Sequence, residues 1–444
     1  MSRAMPQSDD ERLAADHRSA LGAKWIYLVG LPVLLVAGII VRSPNFRMEQ
    51  GPDAHPFGGD FIHEWAGAYA LMHGDPGTFY DWKTFSQLQH DPLIVGQSWN
   101  HHRFFPTIYP PFYYALATPL LLFPLPVAAI LATYASLAMF VISLLWFRRT
   151  EHRATNILSW ALPLSLLFTP LIENFASCQK GTLLLLLLTG TYALLRGGRD
   201  FTAGLLFGLI AFKPHLGLLL GCTMLWKGKW RFVAGAITTV AVLVLACFAL
   251  GSELCRGFTH IALGTSDYVT IGGYDLAKAH TLWSGWQLLL ADTSPTLVKP
   301  LTLVCTLAVL LALATIFKGA LKTDSQLFPF QFAAVVVAMI VTSPHLMHYD
   351  LTMLLLPMGM IACNVNASQM APYRKHLIIA TWLLYLACSV SPNIATIIHL
   401  QITVPVMLGL LSVLTVAIRK TSTVPSGRNT AMVCSIGNLP GGIS

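Results

Sequence analysis

FTAGLLFGLIAFKPHLGLLLGCTMLW, the stretch Phe201–Trp226, decides how this chain is read. It is apolar almost throughout, yet Lys213-Pro214 stands at its middle. Basic residues close it on both sides, Arg196 and Arg199 before it and Lys227, Lys229 and Arg231 after it. Each half supplies about 18–20 Å of helix, against a hydrocarbon core of about 30 Å. The stretch therefore predicts a hairpin of two short helices, its turn held inside the protein near the outer half of a bilayer. Helices broken at that depth persist where they are buried in protein or line a water-filled cavity. The hairpin thus predicts both a membrane protein and a cavity.

The rest of the chain agrees. Of 444 residues, 55% are apolar and 11% charged, and the mean hydropathy is +0.62. Soluble domains carry roughly 25% charged residues, so a soluble enzyme, a disordered chain and a nucleic-acid binder are excluded. Apolar runs lie at 25–41, 126–147, 157–172, 182–195, 232–250, 297–317, 327–342, 351–363, 377–391 and 402–418. They predict an all-α polytopic membrane protein with about ten full spans besides the hairpin. No small-residue cleavage site follows the first run, so it reads as an uncleaved signal anchor. Residues 1–24 read as a cytoplasmic tail and 25–420 as one membrane module with outer loops at 42–109 and 251–300. Residues 421–444, polar and Gly-rich, read as a disordered cytoplasmic tail.

The formal charge of +8 invites a search for an anionic partner. Threading the spans by their basic flanks puts 19 of the 28 Lys and Arg in the cytoplasm and eight outside, with Lys213 between. This is the positive-inside pattern, so the charge reports topology. Both termini are then cytoplasmic. Two full crossings between Tyr109 and Phe147 would leave Arg148 and Arg149 outside, so Pro111–Phe123 is read as a helix lying at the outer face. Trp25, Trp226, Trp230, Trp283 and Trp286 fall near span ends, as interfacial anchors do. The eight cysteines are isolated and predict neither a disulfide framework nor a zinc site.

The acids are sorted the other way, 13 of 20 facing outward and seven of those in the first loop. Gly58-Gly59-Asp60-Phe61 opens an amphipathic stretch that runs to Leu71. A carboxylate there sits near the membrane surface, where burial tunes it as a general base. Lys213 is the strongest signal within the membrane, since a lysine in an apolar helix costs roughly 2.5–3.5 kcal/mol on insertion scales. With His215 beside it, it either meets a phosphate as a point charge, snorkels to the interface or pairs with a carboxylate. A third cluster, Ser343-Pro344-His345-Leu346-Met347-His348-Tyr349-Asp350, caps a span on the outer side. Asp350 there also suits a helix N-cap. Neither histidine has metal-ligand spacing to another obvious ligand, so no metal is expected.

Together these residues resemble a family. Gly59-Asp60-Phe61, Ala66-Gly67, Leu71-Met72-His73-Gly74-Asp75-Pro76 and Tyr80-Asp81 look like the first-loop signature of the family 87 glycosyltransferases, bacterial members of the GT-C membrane superfamily. The resemblance continues, in order, through Tyr109-Pro110-Pro111-Phe112, Cys178-Gln179-Lys180-Gly181, Ala203 to Gly208 and Lys213-Pro214-His215-Leu216-Gly217, to Ser343-Pro344 and Tyr349-Asp350-Leu351. It implies a GT-C type helical bundle and a sugar donor on a polyprenyl phosphate, most simply mannose. It further implies a glycolipid or glycan acceptor and an active site on the outer face of the bacterial cytoplasmic membrane. The position matching the family's base is Asp60. The matching motifs make Lys213, His215, Gln179, Asp81, Tyr109, His345, His348, Tyr349 and Asp350 the candidate substrate-binding residues. No cofactor is implied, because a lipid donor needs no nucleotide site. Two departures stand out: the family often shows Gly-Gln-Asn-Gly where this chain has Cys178-Gln179-Lys180-Gly181, and Glu64-Trp65 replaces a more usual aromatic pair. They bear on the sugar or acceptor more than on the reaction class.

Two other readings share these features. Broken helices and an intramembrane lysine also belong to transporters, so a flippase of polyprenyl-linked sugars is the main alternative. Against it, the polar material is concentrated in one acidic outer loop, and the broken hairpin has no clear counterpart in a second half. A scaffold for another envelope enzyme, with a degenerate site, is the third.

Overall fold

The computed structural model describes residues 26–151, 154–263 and 275–422, and there it is helical, with no β-strand and one isolated bridge between Ala279 and Met347. The tail expected over 1–24, nearly all of that over 421–444, and Arg153 and Asp267 lie outside the described residues.

The first described α-helix is α1 (Leu31–Arg42), and the chain then builds a cap from α2 (Ile62–His73) and α3 (Trp82–Gln89). Next, α4 (Pro111–Ala117) and the 3-10 turn Thr118–Leu122 form the short helix predicted before the long α5 (Leu125–Thr150). There follow α6 (Ala154–Leu166), α7 (Thr169–Ala176), α8 (Gly181–Arg196), α9 (Asp200–Gly208), α10 (Pro214–Trp226) and α11 (Trp230–Leu250). The second half comprises α12 (Ser252–Leu263), α13 (Leu282–Leu290), α14 (Val298–Ile316), α15 (Phe328–Thr342), α16 (Leu355–Asn364), α17 (Arg374–Ile398) and α18 (Thr403–Ser422).

Among the described residues, five stretches are long and apolar enough to cross a membrane: Leu125–Thr150, Trp230–Leu250, Pro295–Ile316, Ser368–Ile398 and Thr403–Thr421. The other expected spans are shorter or interrupted. The run read as 157–172 stops at Leu166 and restarts at Thr169, where Pro170 occupies the first turn and lacks an N–H to continue the preceding helix. The run read as 351–363 begins as a 3-10 segment, His348–Leu354, before α16. At the centre lies α15. It is apolar on all sides and buried at every position except Gln331 and Thr342, as an all-round apolar helix must be.

The hairpin folds as its sequence predicts. After α9 a 3-10 turn, Leu209–Phe212, leads to the bend at Lys213, and α10 returns. An ion pair between Asp200 and Lys229, 3.1 Å apart, joins the two feet. One arm is clamped on α11 by glycines: a Cβ on Gly204 would lie 1.9 Å from the Phe232 carbonyl oxygen, and one on Gly235 2.2 Å from that of Phe201. Small residues four apart let backbones approach this closely without side chains between them.

The loops assigned to the cytoplasm lie together. Arg196 donates to the carbonyls of Thr323 and Ser325, both at 3.0 Å, and Lys227 donates to Phe317 at 2.8 Å. At the opposite end the loop 42–109 is a folded cap. Gln97 accepts from the Phe57 N–H and donates to the carbonyls of Glu49 and His55, while Trp99, wholly buried, donates to Gln89. Phe57, Phe61, Trp65 and Trp99 pack there with Ala128 and Ala129 of α5.

Candidate active site

Asp60 sits on a single 3-10 turn, Gly59–Phe61, at the base of the cap. Gly58 and Gly59 precede it with φ of +79° and +60°. Glycine is needed there for space as well as conformation, because a Cβ on Gly58 would meet Ala129 at 2.7 Å and one on Gly59 would meet Asn45 at 2.8 Å. Asn45 latches the turn: its carbonyl accepts from Gly58, and its amide donates to Ala176 at 3.0 Å. The turn is thereby pinned against the segment after α7, which brings Gln179 to Asp60. The Gln179 amide donates to the Asp60 carboxylate. Burial pushes the Asp60 carboxyl up to about 6; Glu173 and Glu64 add to the rise, while Gln179 and Lys278 oppose it. A carboxylate in that range is ionised at neutral pH and still basic enough to take a proton.

Two further groups follow from this turn. His63 directs Nδ1 to the Asp60 carbonyl, and burial holds its pKa below the ordinary value, so the ring is neutral with Nε2 as acceptor. Glu64, one residue on, pairs with Lys180 at 2.5 Å. Tyr109 links this region to the hairpin, its ring 5.5 Å from that of His63 and 6.1 Å from that of Phe212. Beyond Phe212, Lys213 Nζ lies 2.7 Å from Asp350 Oδ1, with both side chains almost fully buried, and 5.4 Å from the centre of the Tyr349 ring. The Met347 N–H donates to the second oxygen of Asp350.

The third cluster is tied to Glu173. His348 bonds Glu173 through Nδ1 and the Cys388 carbonyl, at 2.7 Å, through Nε2. Burial favours the neutral Glu173, but the His348 bond and the Lys278 ammonium, 3.4 Å away, outweigh it and hold its pKa below the ordinary value. His215 and His345 face each other with ring centres 6.3 Å apart.

An apolar groove of about 490 Å3 runs up to this region between α4, α5, α8 and the hairpin. Glu64, Gln179 and Lys180 form its polar head, and Leu116, Leu131 and Leu209 line it further out. Those three leucines are exposed, by 72%, 42% and 41%, so the groove opens sideways where the bilayer would lie. A second cavity of similar size, about 470 Å3, lies between α6, α16 and α17 and holds none of the predicted residues.

Nine of the ten predicted residues are linked by these contacts and charges into one neighbourhood, and one is not. Asp81 is exposed, and its carboxylate accepts from the backbone of Lys83 and Thr84 at the start of α3, so it is a helix cap. Lys213 and His348 are already paired with carboxylates. Sequence reading marked Glu64 and Lys180 only as departures from the family pattern, and did not single out Glu173, Lys278 and Asn45. Glu173 carried a legible signal, a carboxylate within an otherwise apolar segment; Asn45 and Lys278 carried none. Gln179 Oε1 and His63 Nε2 are buried without a hydrogen-bond partner among the described residues. Buried polar atoms left unpaired are costly unless a ligand or water meets them.

The sequence model of glycosyltransferase family 87 matches residues 107–344, more than half of the chain. The match takes in Tyr109, Gln179, Lys213 and His215 and leaves Asp60 and Asp350 outside it. No curated protein matches. Among solved structures the chain is similar to ArnT from Cupriavidus metallidurans in the apo state, at 16% identity and a TM-score of 0.41, over 90% of this chain and 77% of that one. It is likewise similar to ArnT from Cupriavidus metallidurans bound to undecaprenyl phosphate, at 13% identity and a TM-score of 0.40, over 89% and 78%.

Proposed function

The chain belongs to glycosyltransferase family 87, and from that premise we propose that this multi-pass membrane enzyme transfers a hexose, mannose, from a polyprenyl-phosphate donor to a glycolipid or glycan acceptor at the outer face of the bacterial cytoplasmic membrane. The observation that carries the reading is Asp60, ionised at neutral pH and bonded to Gln179, which lines the polar head of an apolar groove that opens sideways. The prenyl chain lies in the groove and brings its phosphate and sugar to the chamber. Asp60 takes the proton of the acceptor hydroxyl, and the oxygen attacks the anomeric carbon from the face opposite the phosphate. The bond from that carbon to the phosphate oxygen breaks, and polyprenyl phosphate leaves with the electron pair, inverting the centre in one displacement.

The leaving phosphate needs no proton, so a second carboxylic acid is unnecessary. Its charge is met by cations facing the chamber, among them Lys213, which Asp350 and the Tyr349 ring hold in place. The unpaired Gln179 Oε1 and His63 Nε2 accept hydrogen bonds from sugar or acceptor hydroxyls.

The test supplies purified protein in lipid with polyprenyl-phosphate-linked radiolabelled mannose and an envelope lipid extract. Wild type is expected to move label to an acceptor, and Asp60→Asn to lose at least about a hundredfold of that activity, the scale of general-base catalysis. Equal conversion by both proteins would remove Asp60 from its role. Translocation of the donor across liposomes without transfer would replace the reading with a flippase.

A further inference from the structure

The two departures from the family pattern, Glu64 and Lys180, are 116 positions apart in sequence and meet as an ion pair at 2.5 Å. They meet at the head of the groove. Their side chains are only 5% and 15% exposed, and both line the groove, whereas Lys213 and Asp350 do not. The other donor bond seen at the Lys180 ammonium goes to the Cys178 carbonyl at 2.7 Å, which leaves one N–H of the three for a further acceptor. Lys180 also stands at the N-cap of α8, so the positive end of that helix adds to the lysine charge at the same place. In the first turn, Thr182 N–H is taken by Asn174. Of Lys180 and Lys213, only Lys180 lines the route along which a lipid would enter.

We infer that Lys180 is a further cation, beside Lys213, that receives the phosphate of the lipid donor, standing at the head of the groove with Glu64 as its counterion while the site is empty. The inference rests on the lipid-phosphate donor argued above and names the residue that selects it. An ammonium buried without a partner is costly, so Glu64 keeps the empty site neutral. When an anionic phosphate arrives, it and Glu64 compete for one ammonium. Removing Glu64 therefore tightens phosphate binding, while removing Lys180 weakens it. A pair that only holds the fold behaves otherwise: each single variant loses binding, and neutralising both restores it.

The experiment measures binding of farnesyl phosphate and, as a control for the chain alone, farnesol, to the full-length protein in nanodiscs. Lys180→Asn is expected to raise the Kd for farnesyl phosphate at least about tenfold, the weight of one hydrogen bond to a charged group. Lys180→Arg should stay within about threefold of wild type, since it keeps the charge. Glu64→Gln should bind more tightly than wild type, and the double variant Glu64→Gln with Lys180→Asn should bind as weakly as Lys180→Asn. Farnesol binding should not change in any of them. Wild-type affinity in Lys180→Asn, equal loss in Lys180→Asn and Lys180→Arg, or recovery in the double variant would each overturn the assignment while leaving the lipid-donor reading intact. If wild type binds neither farnesyl phosphate nor the long-chain donor, the lipid-donor reading falls, and this assignment with it.

Discussion

Gln179 sets the condition under which Asp60 works. Its amide N–H stabilises the charged carboxylate against the burial that raises the pKa to about 6. In the proposed mechanism the ionised form is the base, so transfer is expected to fall as the pH drops through about 6 and to hold above it. Gln179→Leu removes the donor and leaves burial unopposed, so the pKa rises. The acid limb of the pH–rate profile should then move up by about one unit, the size of one charge-assisted hydrogen bond. A profile unchanged in position would show that another group limits the acid side. The candidacy of Asp60 was legible in Gly58-Gly59-Asp60, because the turn and its place beside an amphipathic helix are local. Its partner was not: Gln179 lies 119 positions away. The same holds for Lys213, for which the sequence left a phosphate, the interface and a carboxylate open, and which the fold pairs with Asp350.

Among the elements, the hairpin α9–α10 depends most on single residues. Lys213 stands at its tip, and the tip is placed by the glycine contact of α9 with α11. Gly204→Val would put a side chain where the Phe232 carbonyl lies 1.9 Å from a Cβ. The helices would have to separate, at a cost of about 1–3 kcal/mol or more. A lower thermal midpoint in detergent, together with reduced transfer, is the expected result. Gly221→Ala is the control, since its Cβ would meet Phe207 at 3.5 Å, an ordinary contact, and both stability and activity should hold. The break at Lys213-Pro214 and the short helix after Pro110 were legible from proline chemistry and basic flanks. The break at Phe168 was not foreseen, because hydropathy runs unbroken across it and the apolar pattern hides a change of helix direction.

Across the whole molecule, the contacts of Arg196 and Lys227 with the loop around 317–325 gather basic groups at one end, and the cap with Asp60 lies at the other. By the positive-inside pattern the basic end is expected in the cytoplasm. Leu93→Cys, in the cap and 94% exposed, should therefore react with an impermeant maleimide in intact cells. Asp324→Cys, exposed at the basic end, should react only after permeabilisation, with the unsubstituted chain as background. The reverse result would invert the topology and put Asp60 in the cytoplasm. Membrane character, the expected orientation and the broken hairpin were determined by the sequence alone, because hydropathy, charge bias and proline act over neighbouring residues. The tertiary structure decided which acid meets which base: Lys180 with Glu64, Lys213 with Asp350, and Glu173 with His348 and Lys278. Buried charges must be paired, but several partners of the right sign exist for each, and packing of distant helices selects among them.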